Sequence, residues 1–313
     1  MTSEATPQIV RNAQRREHIA GIVESFARHP RPFRFGLGRV MLRFGITPPF
    51  LLVRREGYVL RFFPTSVTVG LWSNPDAEDT DEDFLRRYLR LGDTVVDVGA
   101  NVGHLTLTAS TMVGESGTVI AIEAHPRIFG YLKANLALNR RTNVVLHNVA
   151  IGNEPGQLAF SDVRDDDFNR VGTAGSGLSV PAETLDALAP ADSEISLLKV
   201  DVEGYEKHVF AGAAGTLRRT RCLYFEVWDA ATARFGYGIH DVIGAVKVHG
   251  FTVLRLDAGI LVTVDDAFTA LHAVNLIAVR DVPELCQRTG LRLAESEADQ
   301  MSSPGLEWEE GLE

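Results

Sequence analysis

Apolar residues along the chain recur with two different periods. Between residues 8 and 28 they follow helical spacing, with Ile9, Ala13, Ile19, Ile22, Val23 and Phe26 on or near one face. That pattern predicts a helix, which His29-Pro30-Arg31-Pro32 ends. LLVRREGYVLRFF then reads as two strand-like runs about Arg55-Glu56-Gly57, a hairpin ahead of the main body. An acidic linker with Pro75, from Asn74 to Asp83, leads to a helix near Phe84–Leu89.

From Asp93 onward, short apolar runs alternate with helical stretches. Strands are predicted at 94–98, 118–123, 143–151, 195–201, 222–228, 251–256 and 272–279, with helices at 104–112, 126–138, 206–218 and 239–249. Residues 158–180 read as irregular. The strand runs are too continuously apolar for one-sided strands, which implies an α/β fold with a mostly parallel, seven-stranded sheet covered by helices on both faces. The expected organisation is an accessory helix and hairpin over 1–75, a main domain over 76–280, and an extension over 281–313 that ends in a disordered acidic tail.

Charge refines this picture. The chain carries −10, but seven acids and no base lie in 294–313, and residues 1–43 carry +5, which leaves the body at −8. An acidic body does not attract a phosphate backbone, so nucleic acid is not expected as a partner. No apolar run reaches the roughly 18 residues that span a bilayer, so no membrane partner is expected either. Two cysteines, Cys222 and Cys286, and no apolar leader point to a cytoplasmic setting. The N-terminal helix and hairpin are candidates for a homodimer contact or a lid.

The chemistry concentrates in two stretches. In VVDVGANVGHLTL a strand ends in Asp97, and Gly99 and Gly103 bracket a tight turn, with Ala100 and Asn101 inside it, before a helix whose first amides point outward. The pattern D-x-G-x-x-x-G differs from the G-x-G-x-x-G that receives a pyrophosphate. Glu123 ends the second strand, where a carboxylate can take two ribose hydroxyls. Together these suit S-adenosylmethionine: Asp97 toward its ammonium, the turn amides toward its carboxylate, Glu123 toward its ribose. Asn148 and Val149, at the end of the third strand, fall near the adenine, although a turn-forming Asn at a buried strand end reads equally well.

The second stretch is LLKVDVEGYEKHVFAGAAGTL, where Lys199, Asp201 and Glu203 alternate at the carboxyl end of the fourth strand, and Glu226 occupies the like place on the fifth. Asp201, Glu203 and Glu226 are the candidate catalytic carboxylates, able to orient a hydroxyl, accept its proton or hold a divalent ion. No His or Cys cluster has ligand spacing, so no metal is expected. Lys199 reads as the partner of these acids, and His104 as a cap or packing residue. His208 and His240 read as surface residues. Trp72 and Trp228 are candidate cleft walls, and Asn169 with Gly172–Gly177 a flexible loop over the crevice.

These motifs, with AIEAHPRIFGYLKANLALN, NVVLHNVAIGN, VPAETLDAL and YFEV in the same order over roughly residues 76–230, resemble the FkbM family of S-adenosylmethionine-dependent methyltransferases. The resemblance implies a Class I, Rossmann-like methyltransferase fold and S-adenosylmethionine as cofactor. It also implies O-methylation of a hydroxyl on a small molecule such as a sugar, glycoside or polyketide. Carried over by residue, Asp97, Gly99, Asn101 and Gly103 match the cofactor loop, Glu123 the ribose acid, and Asp201, Glu203, Gly204 and Glu206 the D-x-EG-x-E motif. N-methylation and a dinucleotide-dependent oxidoreductase are the alternatives.

Overall fold

The computed structural model describes residues 29–75, 79–162, 170–172 and 177–294, so the helix expected at 8–28, the acidic tail and Asn169 lie outside the described residues. Ahead of the main sheet stand a helix Pro32–Phe44, a hairpin of β1 (Leu52–Arg55) and β2 (Tyr58–Arg61), and helices Ser66–Ser73 and Thr80–Tyr88. The first of these helices was not foreseen, because Pro32 reads as a breaker; it sits in the first turn, where a missing N–H costs nothing. Asp79, expected in a linker, caps helix Thr80–Tyr88 by accepting from the Glu82 amide, with Asp81, Glu82 and Asp83 filling its first turn.

The alternation then unfolds as β3 (Thr94–Val98), helix His104–Val113, β4 (Thr118–Ile122), helix Pro126–Leu138 and β5 (Val144–His147). A small sheet follows, of β6 (Ala150–Ile151), β7 (Gly156–Phe160) and β8 (Leu178–Glu183). The chain returns through β9 (Ile195–Val200), helices Glu206–Ala211 and Ala214–Arg219, β10 (Thr220–Val227), helix Ile239–Lys247, β11 (Thr252–Asp257), β12 (Ile260–Thr263), β13 (Val274–Val279), helix Val282–Thr289 and β14 (Arg292–Leu293).

The main sheet runs β5-β4-β3-β9-β10-β13-β11-β12-β14. β5 through β10 are mutually parallel, and β13 lies antiparallel between β10 and β11. The seven expected strands are therefore present in the order 3-2-1-4-5-7-6, and two short ones extend the far edge to nine. The added strand β12 exists because Ala258 and Gly259 both take positive φ (46° and 83°) and fold β11 tightly back on itself. One buried cluster joins the sheet to helices 206–219 and 239–247, and a second joins its other face to helices 80–88, 104–113 and 282–289.

Three expectations needed correction. The third strand does not run to residue 151: the Asn148 side-chain amide donates to the carbonyls of Glu123 and Ala124, and beyond this tether β6 leaves the main sheet for β8. Nor is 158–180 irregular throughout, since β7 and β8 pair antiparallel, with Val180 and Ala182 facing inward. The helix expected at 206–218 is two helices, because Gly212 packs its backbone on Gly152, where a β-carbon would stand 2.2 Å from a carbonyl oxygen.

The order of the sheet reverses between β3 and β9, the switch point at which an open α/β sheet opens a crevice at its carboxyl edge. There Gly99 (φ 83°) lies so close to β9 that a β-carbon would come 1.8 Å from the Asp201 carbonyl oxygen. Gly99→Ala should therefore cost about 3 kcal/mol or more, combining left-handed strain with overlap of two backbones. Urea unfolding measures this, and an unchanged midpoint would show that the two strand ends part freely.

Candidate active site

The cofactor turn is built from both strands beside the switch point. Asp97, 2% exposed, accepts from the Thr106 hydroxyl through Oδ2 at 2.6 Å. The Lys199 ammonium stands 3.3 Å from Oδ1 but off a hydrogen-bond line, so this buried oxygen has no hydrogen-bond donor. Gly99, Asn101 and Gly103 all take positive φ, which turns the chain sharply into helix 104–113. The amides of Gly99 and Ala100 both donate to the Ile122 carbonyl at 3.0 Å. Glu123 closes the unit, accepting from the Asn101 amide at 2.9 Å and the His125 amide at 2.8 Å. Burial lifts its carboxyl to about 7, against those two bonds.

These residues fit S-adenosylmethionine. The undonated oxygen of Asp97 suits a cationic ammonium, the first amides of helix 104–113 suit a carboxylate, and Glu123 at the adjacent strand end suits a diol. Val149 lies in the core at the break between β5 and β6, and Ala100 is buried inside the turn. Both N–H donors of the Asn148 side chain are spent on backbone carbonyls, so its place in the site is to hold the loop after β4.

Lys199 links this half of the site to the other. It is 6% exposed; its ammonium donates to the Gly99 carbonyl at 2.9 Å and lies 3.4 Å from Asp201 Oδ2. Burial alone would depress its pKa, but the charges of Asp97 and Asp201 outweigh burial and raise it. Beyond Asp201, Glu203 takes a left-handed conformation (φ 58°), a strained geometry typical of sites. Asp201, Glu203 and Glu226 each bring a carboxylate oxygen within 4.8 Å of the others. Glu226 is pushed well above the usual carboxylate range, first by burial and then by the charges of Asp201 and Glu203. Such a set can receive hydroxyls or a hard cation. Glu206, the last member of the D-x-EG-x-E motif, serves the turn instead: its Oε1 accepts from the amides of Val202 and Gly204, while Oε2 is buried without a donor.

Three further residues join this row and were not picked out from the sequence. Tyr224 lies beside Lys199 across β9 and β10, and Asn275 beside Glu226 across β10 and β13. Asp81, from helix 80–88, accepts from both the Tyr224 hydroxyl and the Asn275 amide. Asn275, a polar residue within the apolar run HAVNLIAV, was the one visible signal. His104 is more than a cap. Its ring nitrogens lie 2.7 Å from the Tyr58 hydroxyl and 2.6 Å from Asp79, tying the hairpin and helix 80–88 to the cofactor turn. That joint continues through Glu82, which pairs with Arg55 and Arg86 at 2.6 Å each. Asp79, Glu82 and His104 are also close enough to share a cation, but these arginines already claim Glu82.

A doubly wound sheet with this glycine turn, and with acids ending β3 and β4, defines a Class I methyltransferase. The chain matches the family model described as the methyltransferase FkbM domain over residues 97–253. It belongs to the FkbM family of methyltransferases, and S-adenosylmethionine is its cofactor. It is 29% identical over 213 residues to the 31-O-demethyl-FK506 methyltransferase FkbM of Streptomyces tacrolimicus, covering 56% of this chain and 79% of that protein. It is 26% identical over 195 residues to the hexuronic acid methyltransferase AglP of Haloferax volcanii, covering 60% and 78%. A protein-L-isoaspartate O-methyltransferase of Caenorhabditis elegans is 32% identical over 107 residues; the chain spans only 47% of that protein's length. Family membership sets aside the dinucleotide oxidoreductase alternative.

Burial of Glu206 holds its carboxyl at about 7, as for Glu123, against an ordinary 4.5. A carboxyl whose folded pKa is raised contributes its stability fully below pH 4.5 and loses it as pH climbs toward 7. Each group lowers stability by at most about 1.4 kcal/mol per pH unit across that window. Glu206→Gln keeps an acceptor for Val202 and Gly204 and removes one ionisation. Unfolding followed across the window should show a shallower fall and a more stable protein above pH 7; an unchanged slope would contradict this account.

Proposed function

We propose that this methyltransferase O-methylates a hydroxyl of a small molecule of the sugar, glycoside or polyketide kind. The observation that carries the reading is the carboxylate row Asp201, Glu203 and Glu226 at the open ends of β9 and β10, one backbone contact away from the cofactor turn at Gly99. The names of the FkbM and AglP relatives, with 31-O-demethyl-FK506 in one and a hexuronic acid in the other, support it. So does the acidic body, which suits a cationic cofactor and a neutral acceptor better than a polyanion.

When bound, S-adenosylmethionine supplies an electrophilic methyl group on a sulfonium. Asp97 and Glu123 would hold the cofactor's two polar ends. Positioning contributes most to an in-line displacement, so the acceptor carboxylates matter first as a cradle that fixes the hydroxyl oxygen. Asp201 is open to the crevice, with Lys199 facing its charge, and is the group that takes the hydroxyl proton. Glu226, shut in among like charges, keeps its own proton and donates to an acceptor oxygen. The reaction needs no metal in this scheme; EDTA treatment followed by Mg²⁺ tests that point separately.

Asp201→Asn should lower kcat about a hundredfold or more, with cofactor affinity changed only a few-fold. Asp97→Asn should do the reverse and weaken cofactor binding first. Mass spectrometry of products from glycosides and polyketide alcohols, paired with calorimetry of cofactor binding, measures both. Full turnover by Asp201→Asn removes that residue from the mechanism, and methylation confined to amines overturns O-transfer.

A further inference from the structure

Helix 32–44 has two apolar faces, and only one of them is used. Met41, Leu42 and Gly38 are buried against the body, with Gly38 packed on Val69 of helix 66–73. Phe33, Leu37, Val40 and Phe44 form a second stripe at positions i, i+4, i+7 and i+11, and this one faces outward. Phe33 is 87% exposed and Phe44 65%. The stripe continues past the helix through Ile46 and Phe50, the latter 92% exposed. An exposed patch of this size, with three phenylalanines, is a binding surface rather than chance.

Charge selects what it binds. Residues 29–55 hold six arginines and neither a lysine nor an acid. Arg55 turns inward to Glu82, while Arg34 lies on one side of the stripe and Arg39 and Arg43 on the other. A second copy of the chain seated on this face would set arginines against arginines. Residues 1–28, the adjoining segment, hold Arg11, Arg15, Arg16 and Arg28 against three glutamates, so they add positive charge rather than cancel it. An anionic lipid surface complements both features: headgroups for the arginines, acyl chains for the aromatic stripe.

We infer that helix 32–44 and the segment through Phe50 are an interfacial element that lies flat on an anionic membrane, with Phe33, Leu37, Val40, Phe44 and Phe50 inserted below the headgroups. Its 13 residues span roughly 20 Å, too short to cross a bilayer, and among the described residues no helix is long and apolar enough to do so. Met41 and Leu42, on the buried face, share one core cluster with Leu60, Phe62 and Ala100 of the cofactor turn. Seating the helix therefore holds the catalytic domain at the lipid surface.

Flotation of the full-length protein tests this, using vesicles of phosphatidylcholine alone and of phosphatidylcholine mixed with phosphatidylglycerol. Partition onto the anionic vesicles should exceed that onto the neutral ones by about tenfold or more, since each basic side chain near the surface adds favourable energy, and salt should weaken it. Phe33→Ser, Phe44→Ser and Phe50→Ser together should lower partition by about tenfold or more while cofactor binding stays at the parent level. Failure to float with anionic vesicles overturns the inference, as does equal binding to both vesicles. A dimer in size-exclusion chromatography that this triple variant separates, without vesicle binding, overturns it in favour of self-association.

Discussion

One buried ammonium holds the two halves of this site in register. Lys199 sits on β9 between Asp97 and Asp201 and also donates to the Gly99 carbonyl. Removing water from a lysine is costly, and the lysine stays charged here because two carboxylates and a carbonyl replace that water. In return, the end of β3 that leads into the glycine turn and the end of β9 that leads to Asp201 are held together. Methyl transfer is governed by the placement of two reactants, so a rigid link between their binding elements is the constraint on which the chemistry rests.

The elements ahead of the main sheet reinforce that link from outside. The Glu82 carboxylate, gripped by Arg55 and Arg86, fixes helix 80–88 to the hairpin, and Asp79, which caps that helix, fixes His104. Asp79 is held at about 2: burial opposes this, but the hydrogen bond from His104 and the neighbouring charges prevail. Asp81, two residues on, reaches the sheet itself through Tyr224 and Asn275. One short helix and its cap thus brace both the glycine turn and the polar row of Tyr224 and Asn275.

The carboxylate row beside that turn gathers three acids in one place, with Lys199 set against its Asp201. Asp201, Glu203 and Glu226 share one small volume, and burial, with the neighbouring acids, pushes Glu226 well above the usual carboxylate range. Such an arrangement is poorly matched to stability and well matched to receiving a polar ligand, which relieves the repulsion when it binds. Stabilising links lie behind the turn, and the carboxylates gather in front of it.

Much of this was legible in the amino-acid sequence, for a local reason. The β-α alternation, helix 126–138, the glycine turn with Asp97, and the carboxylates near 201 and 226 each announce themselves within a dozen residues, because apolar period and turn chemistry are short-range properties. What failed was long-range or masked by a local signal. Asn148 ends β5 only because the Glu123 and Ala124 carbonyls come within its reach, and Gly212 splits a helix only because Gly152 lies against it. Pro32 looked like a stop and acts as a start. Asp81 and Tyr58 carried no mark at all, since their place depends on where a separate helix and a hairpin dock. By itself the sequence determined the fold class, the tight glycine turn after Asp97 and the acids at the strand ends, since those are written in spacing and residue type. Only the tertiary structure decided which acid meets which base, that Lys199 spans both half-sites, and that helix 32–44 leaves an aromatic face uncovered, because contacts between distant segments are set by packing.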